Sequence, residues 1–226
     1  MDKPPLESAY VLHVRAFQET SLIVEVLTRH HGRFSLIAKG AKRPKSAKAG
    51  LLQPFLPLTI AWVGRSELQT LTTIEARESC KRLQGNALMC GLYLNELLIK
   101  ILDKHDAYPQ VYDLYEQVLK QLGETEAVEY CLRKFELGLL KYLGYELSAQ
   151  QLELEAYYLF TADNGFVKAA QSLESSELFR GSELFHILHL EYLSEESLPA
   201  AKRLMRIVFQ SLLQGKSLNS RMLFIS

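Results

Sequence analysis

No stretch of this sequence approaches the roughly 20 uninterrupted apolar residues that a membrane-crossing helix needs. The start, Met1-Asp2-Lys3-Pro4-Pro5, lacks the basic-then-apolar layout of an export signal. A soluble, cytoplasmic protein without a membrane partner is expected. Cysteine is scarce: Cys80, Cys90 and Cys131 are odd in number and widely spaced, which suits buried thiols better than a disulfide framework. With no Cys-x-x-Cys pair and no matching histidine spacing, no zinc site is expected. The chain also lacks a Gly-x-x-x-x-Gly-Lys phosphate loop and a Gly-x-Ser-x-Gly elbow. His30-His31, placed on opposite faces of a strand, would make a poor metal clamp. No nucleophile stands beside a base, so neither an enzyme nor a cofactor is expected.

One further absence is positive information. Between Glu25 and Glu67 there is no acidic residue, although the net charge of the whole chain is zero. Residues 1–82 carry 13 Lys and Arg against 7 Asp and Glu; residues 83–226 carry 13 against 19. A basic module that meets an anion is therefore joined to an acidic one with another task.

The basic part reads as strands. Tyr10 to Arg15 is apolar, Ser21 to Thr28 is rich in β-branched residues, and Arg33 to Lys39 alternates with Phe34, Leu36 and Ala38 on one side of the pleat. A polar connection from Gly40 to Gly50 follows, then strand candidates Leu56 to Val63 and Glu67 to Ile74. Five short strands in about 80 residues point to a small barrel of the OB type. After Arg82 the period becomes helical, over Asn86 to Leu102, Gln110 to Leu122 and Glu126 to Leu143, with Gly144 as a stop. Tyr157 to Val167, turning at Ala162-Asp163-Asn164-Gly165, reads as an inserted hairpin. Ser197 with Pro199 opens a last helix that Gly215 closes. The expectation is an α+β chain: an OB-fold barrel domain over 1–81, then a helical domain over 82–226.

The acid-free window holds Arg29, Arg33, Lys39, Lys42, Arg43, Lys45, Lys48 and Arg65. Cations on a flexible loop follow phosphate spacing and release counterions on binding. Arg33, Lys39, Lys42, Arg43, Lys45, Lys48 and Arg65 are the candidate DNA contacts, against the plain alternative of a solvated loop. Lys202, Arg203 and Arg206, within one turn of the last helix, are a second candidate group; a solvated face is again the alternative. Tyr10, Phe17, Phe34, Phe55 and Trp62 include possible base-stacking rings. Phe34 and Trp62 sit in core contexts, and Phe17 is the one expected outside. Arg133 suits a partner's terminal carboxylate or acidic tail, or else a helix-surface pair with Glu129 or Glu136.

Tyr10-Val11-Leu12-His13, Gly32-Arg33 through Ala38-Lys39-Gly40-Ala41-Lys42-Arg43, Leu52-Gln53-Pro54-Phe55, Gly91 to Leu98 and Leu132-Arg133-Lys134-Phe135-Glu136-Leu137 occur in an order that resembles the RecO family of bacterial recombination mediators. The match extends through Leu143-Gly144-Tyr145, Lys216, Ser220-Arg221 and Phe224. The chain departs from the family pattern at Ser66 and Gln69, and it lacks the four cysteines of the zinc-binding branch. The resemblance implies binding of single- and double-stranded DNA and annealing of complementary strands. It also implies cooperation with RecR in loading RecA onto DNA coated by single-strand-binding protein (SSB), at the nucleoid. It implies docking of the acidic SSB tail in the helical domain, with Arg133 as one contact. The competing reading is a non-enzymatic adaptor whose basic loop meets acidic protein surfaces and no DNA.

Overall fold

The computed structural model describes residues 6–64, 68–78, 81–145, 147–149, 152–170, 177–189, 193–213 and 216–220. They fall into two compact units, residues 1–125 with 220–226, and residues 126–219.

In the first unit the alternating sequences become strands β1 (Glu7–Phe17), β2 (Ser21–Thr28), β3 (Gly32–Ala38), β4 (Leu58–Val63) and β5 (Leu68–Ala76). They close in the order β1-β2-β3-β5-β4. All neighbours are antiparallel except β3 and β5, which run parallel with Ser35 opposite Leu68 and Ile37 opposite Thr70. The expected OB-type barrel is present. Its interior is filled by one side of each pleat: Val11, Val24, Val26, Phe34, Leu36, Leu58, Ile60 and Leu71. Trp62 packs against that core, as expected, whereas Phe17 is half-buried.

Two sequence expectations change. The Gly40 to Gly50 connection contains a short helix, α1 (Ala47–Leu51). His30 and His31 lie in the β2–β3 turn, not along a strand. There the Nδ1 of each ring faces the Glu7 carboxylate, at 3.0 Å and 3.6 Å. A tight turn lets consecutive side chains gather, which a pleated strand forbids.

Helices α2 (Gly85–Ile101) and α3 (Pro109–Leu122) belong to this same unit. Asn95 of α2 donates to the Leu12 carbonyl (2.9 Å) and accepts from the Tyr115 hydroxyl of α3 (2.5 Å). These bonds satisfy a buried amide that would otherwise cost about 1–3 kcal/mol. Tyr10, Tyr112 and Tyr115 pack ring on ring beside it, with centroids 5.6 and 5.3 Å from Tyr10. The Ser220 N–H and hydroxyl both donate to Glu96 of α2, at 2.8 and 2.6 Å.

The second unit holds helix α4 (Val128–Tyr142), strands β6 (Tyr157–Thr161), β7 (Gly165–Ala169) and β8 (Phe179–Arg180), and helices α5 (Gly181–Leu188) and α6 (Leu198–Leu212). The expected hairpin is β6–β7, and β8 pairs on the far side of β6. Gly144 takes the left-handed conformation (φ 83°) that suits a helix stop. Helix α5 is an element that the sequence pattern did not show; Gly215 lies outside the described residues.

Two predictions follow from the packing of the first unit. Gly32 has φ 67°, and a Cβ there would stand 1.9 Å from the Asp106 carbonyl oxygen. Gly32→Ala therefore combines left-handed strain with a backbone clash. It should lower stability by about 3 kcal/mol or more, seen as a reduced urea midpoint. Burial first, and the Glu116 charge second, raise the Tyr10 phenol; burial raises Tyr112 and Tyr115 as well. Their contribution to stability is complete below the ordinary phenol value of about 10 and lost as pH rises beyond it. Absorbance titration should find tyrosines that ionise only together with alkaline unfolding.

Candidate nucleic-acid interface

The chain leaves the end of β3 at Ala38 and enters the basic connection at Lys39. Ala41 (1% exposed) and Leu52 (6%) both join the barrel core, so the segment between them is pinned at each end. Lys42 N–H donates to the Thr20 carbonyl in the β1–β2 turn (3.0 Å), Arg43 N–H to Gly40 (3.1 Å), and Ser46 N–H to Arg43 (3.1 Å). The expected flexible loop is thus a stack of turns with its backbone fixed. Gly40 (φ 71°) and Lys45 (φ 65°) supply the two left-handed residues that this path requires.

Side chains of Lys39, Lys42, Arg43 and Lys45 are exposed. Among the described residues none of these four has an ion-pair partner, unlike Arg29, Arg33, Arg77 and Lys100 of the same unit. Lys48 is half-buried, and its Nζ donates to the Leu71 carbonyl (3.4 Å). Four exposed cations, without ion-pair partners among the described residues, thus sit on a backbone held by hydrogen bonds.

Other candidates from the sequence lie in different settings. Arg33 is buried and spends its guanidinium internally. It pairs with Glu25, and its Nε and Nη2 donate to the Leu102 carbonyl at 3.1 and 2.7 Å. It joins α2 to the barrel wall and offers nothing to a phosphate. Arg65 lies outside the described residues.

In the second unit Lys202 is exposed but pairs with Glu129 (2.9 Å), and Arg206 is exposed. Arg203 is half-buried, its guanidinium 4.5 Å from the Phe179 ring centroid and donating to the Leu178 carbonyl. Only two of the expected three cations on α6 therefore face solvent. Arg133 is 4% exposed, and its Nε stands 3.0 Å from Oε2 of Glu136, itself 1% exposed. The pair lacks hydrogen-bond alignment between these two atoms.

Aromatic rings gather at the other end of β3, a grouping that the sequence did not reveal. Trp62 meets Phe34 (4.9 Å) and the edge of His31 (5.1 Å), and His105, from the α2–α3 connection, stacks on Phe34 at 5.4 Å and 19°. A sequence signal did exist in part. His31 lies in the β2–β3 turn and Trp62 near the end of β4, but His105 is 71 residues beyond Phe34 and unreadable without the tertiary fold.

Residues 5–80 match the family model for the N-terminal part of recombination protein O, and residues 82–152 match the model for its C-terminal part. The chain belongs to the RecO family. It is 40% identical to the DNA repair protein RecO of Methylococcus capsulatus, over 98% of this chain and 93% of that one. Identity is likewise 40% with the RecO of Polynucleobacter asymbioticus (97% and 95% covered), and 38% with that of Aromatoleum aromaticum (95% and 92%). RecO proteins serve DNA repair and recombination, which gives the cationic barrel loop a biological setting. No helix among the described residues is long and apolar enough to cross a membrane.

The buried Arg133–Glu136 pair yields a prediction. Arg133→Met removes the cation beside a buried carboxylate and should cost about 3 kcal/mol in urea denaturation, while adding Glu136→Gln should return much of the loss.

Proposed function

We propose that the Lys39–Lys48 loop binds the sugar-phosphate backbone of single- and double-stranded DNA, and that by screening phosphate repulsion it lets complementary strands approach and anneal. The observation that carries this reading is the set of four exposed cations, Lys39, Lys42, Arg43 and Lys45, without ion-pair partners among the described residues. Backbone binding needs charge and a fixed path, and base pairing between the strands supplies the sequence matching. No covalent step is required of the protein. Lys48 steadies the loop through Leu71, and the exposed Lys202 and Arg206 are a second, separate basic group.

Membership in the RecO family supports the wider role, in which the protein, together with RecR, promotes RecA loading at the nucleoid on DNA coated by SSB. In that role the second unit docks the acidic SSB tail, with Arg133 as one contact.

Lys42→Glu with Arg43→Glu should weaken binding of a labelled single-stranded oligonucleotide. It should also flatten the slope of log affinity against log salt by about 0.7 per lost contact, roughly 1.4 in all. Unchanged affinity together with an unchanged slope would rule the loop out. In a strand-annealing assay the same variant should be slow both on bare and on SSB-coated DNA.

A further inference from the structure

We propose that the ring cluster at the start of β3, with His105 and Trp62 as its accessible members, is a stacking site for an unpaired nucleobase of the same strand that the basic loop holds. The inference rests on reading that loop as a backbone site, and it assigns the opposite end of the barrel a different kind of contact.

Four observations lead there. First, the rings are prearranged. Phe34 is buried (1% exposed) in the barrel core and fixes one face of His105 by near-parallel stacking. His105 is exposed, so its other face is turned to solvent, and Trp62, half-buried, flanks the same Phe34 ring. A π-face held rigidly at a surface accepts any base without hydrogen-bond readout. Second, His105 holds a strained backbone conformation (φ 60°) that its N–H bond to the Arg33 carbonyl (2.9 Å) maintains. Such strain in a non-glycine residue collects at functional positions.

Third, the local charge favours a base over a phosphate. In the connection that carries His105 the exposed Asp103 and Asp106 outnumber the exposed Lys104, and Glu7 lies beside His31. Those carboxylates repel a phosphate and are indifferent to a neutral base. Fourth, the distance and the path fit. The seven residues of β3 run from the ring cluster to Lys39, which places the two contacts about 20 Å apart. The outward-facing residues on that stretch are Ser35 and Ile37, with Leu68 and Thr70 beside them, while Glu25 is neutralised by Arg33. A strand of a few nucleotides then crosses the barrel wall with its backbone anchored at one end and a base stacked at the other, within the range of about 4–16 nucleotides covered by barrels of this type.

Trp62 is the one tryptophan of the chain, so its emission reads this site directly. The full chain is titrated with an oligothymidylate of about 12 nucleotides and with an abasic sugar-phosphate oligomer of equal length. Labelled-strand anisotropy records binding independently. The oligothymidylate should quench Trp62, and the abasic oligomer should bind through the loop without quenching. His105→Gly removes the ring and relieves the positive φ, so the fold is not put at risk. This variant should bind oligothymidylate about 5- to about 100-fold more weakly with an unchanged salt slope, because a stacked base is lost and no phosphate contact is. If both oligomers bind, neither alters Trp62, and His105→Gly binds as tightly as the parent, the stacking site is overturned while the backbone site stands. If neither oligomer binds, both fall.

Discussion

Closure of the barrel through one parallel pair of strands is the constraint from which the rest of the first unit follows. Strand β5 must lie beside β3 and point the same way. The chain leaving β3 therefore has to travel back along the barrel before β5 can start, and a parallel pair cannot be joined by a tight turn. The connection over residues 39–57, followed by β4, makes that return. Its first part crosses the barrel end, where Ala41 and Leu52 are drawn into the core. The cations between them have no interior to enter, and they project outward from a backbone held by the Thr20 and Gly40 carbonyls. The electrostatic surface is thus a by-product of the way the sheet closes.

The same barrel separates two fates for arginine. Arg33 stands at the start of β3, diagonal to Glu25 and near the end of α2, and its guanidinium is bonded to the Leu102 carbonyl and the Glu25 carboxylate. Arg43 stands just past the other end of β3, where no carboxylate follows in sequence until Glu67. Only five strand residues, Phe34 to Ala38, lie between an arginine that fastens helix to barrel and the exposed cation cluster. In the second unit Arg133 and Arg203 repeat the first fate. One pairs with buried Glu136, the other lies over Phe179, and burial gives each a structural task.

Much of this architecture was legible because its signals are local. β-Branched enrichment over Ser21–Thr28 and alternation over Arg33–Lys39 marked strands close to their true bounds, and helical periods over 110–122 and 126–143 marked α3 and α4. The short helices α1 and α5 were missed, since five and eight residues hold too few turns for a period to emerge. His30 and His31 were misplaced onto a strand because nothing local distinguishes a strand end from the turn after it. Of the candidate contacts, Lys39, Lys42, Arg43 and Lys45 are exposed. Arg33 is buried, which local sequence could not show, since its partners are 8 and 69 residues away.

The sequence alone determined the barrel-then-helix order and the long acid-free window, because composition and periodicity are properties of neighbours along the chain; the family came from the order of its motifs. It could not determine which cations keep their charge available, nor that His105 would meet Phe34 and Trp62. Those outcomes depend on which side chains the closed barrel and its helices bring within about 4 Å of one another, the range over which an ion pair or a ring contact replaces water. Only the tertiary structure decides that.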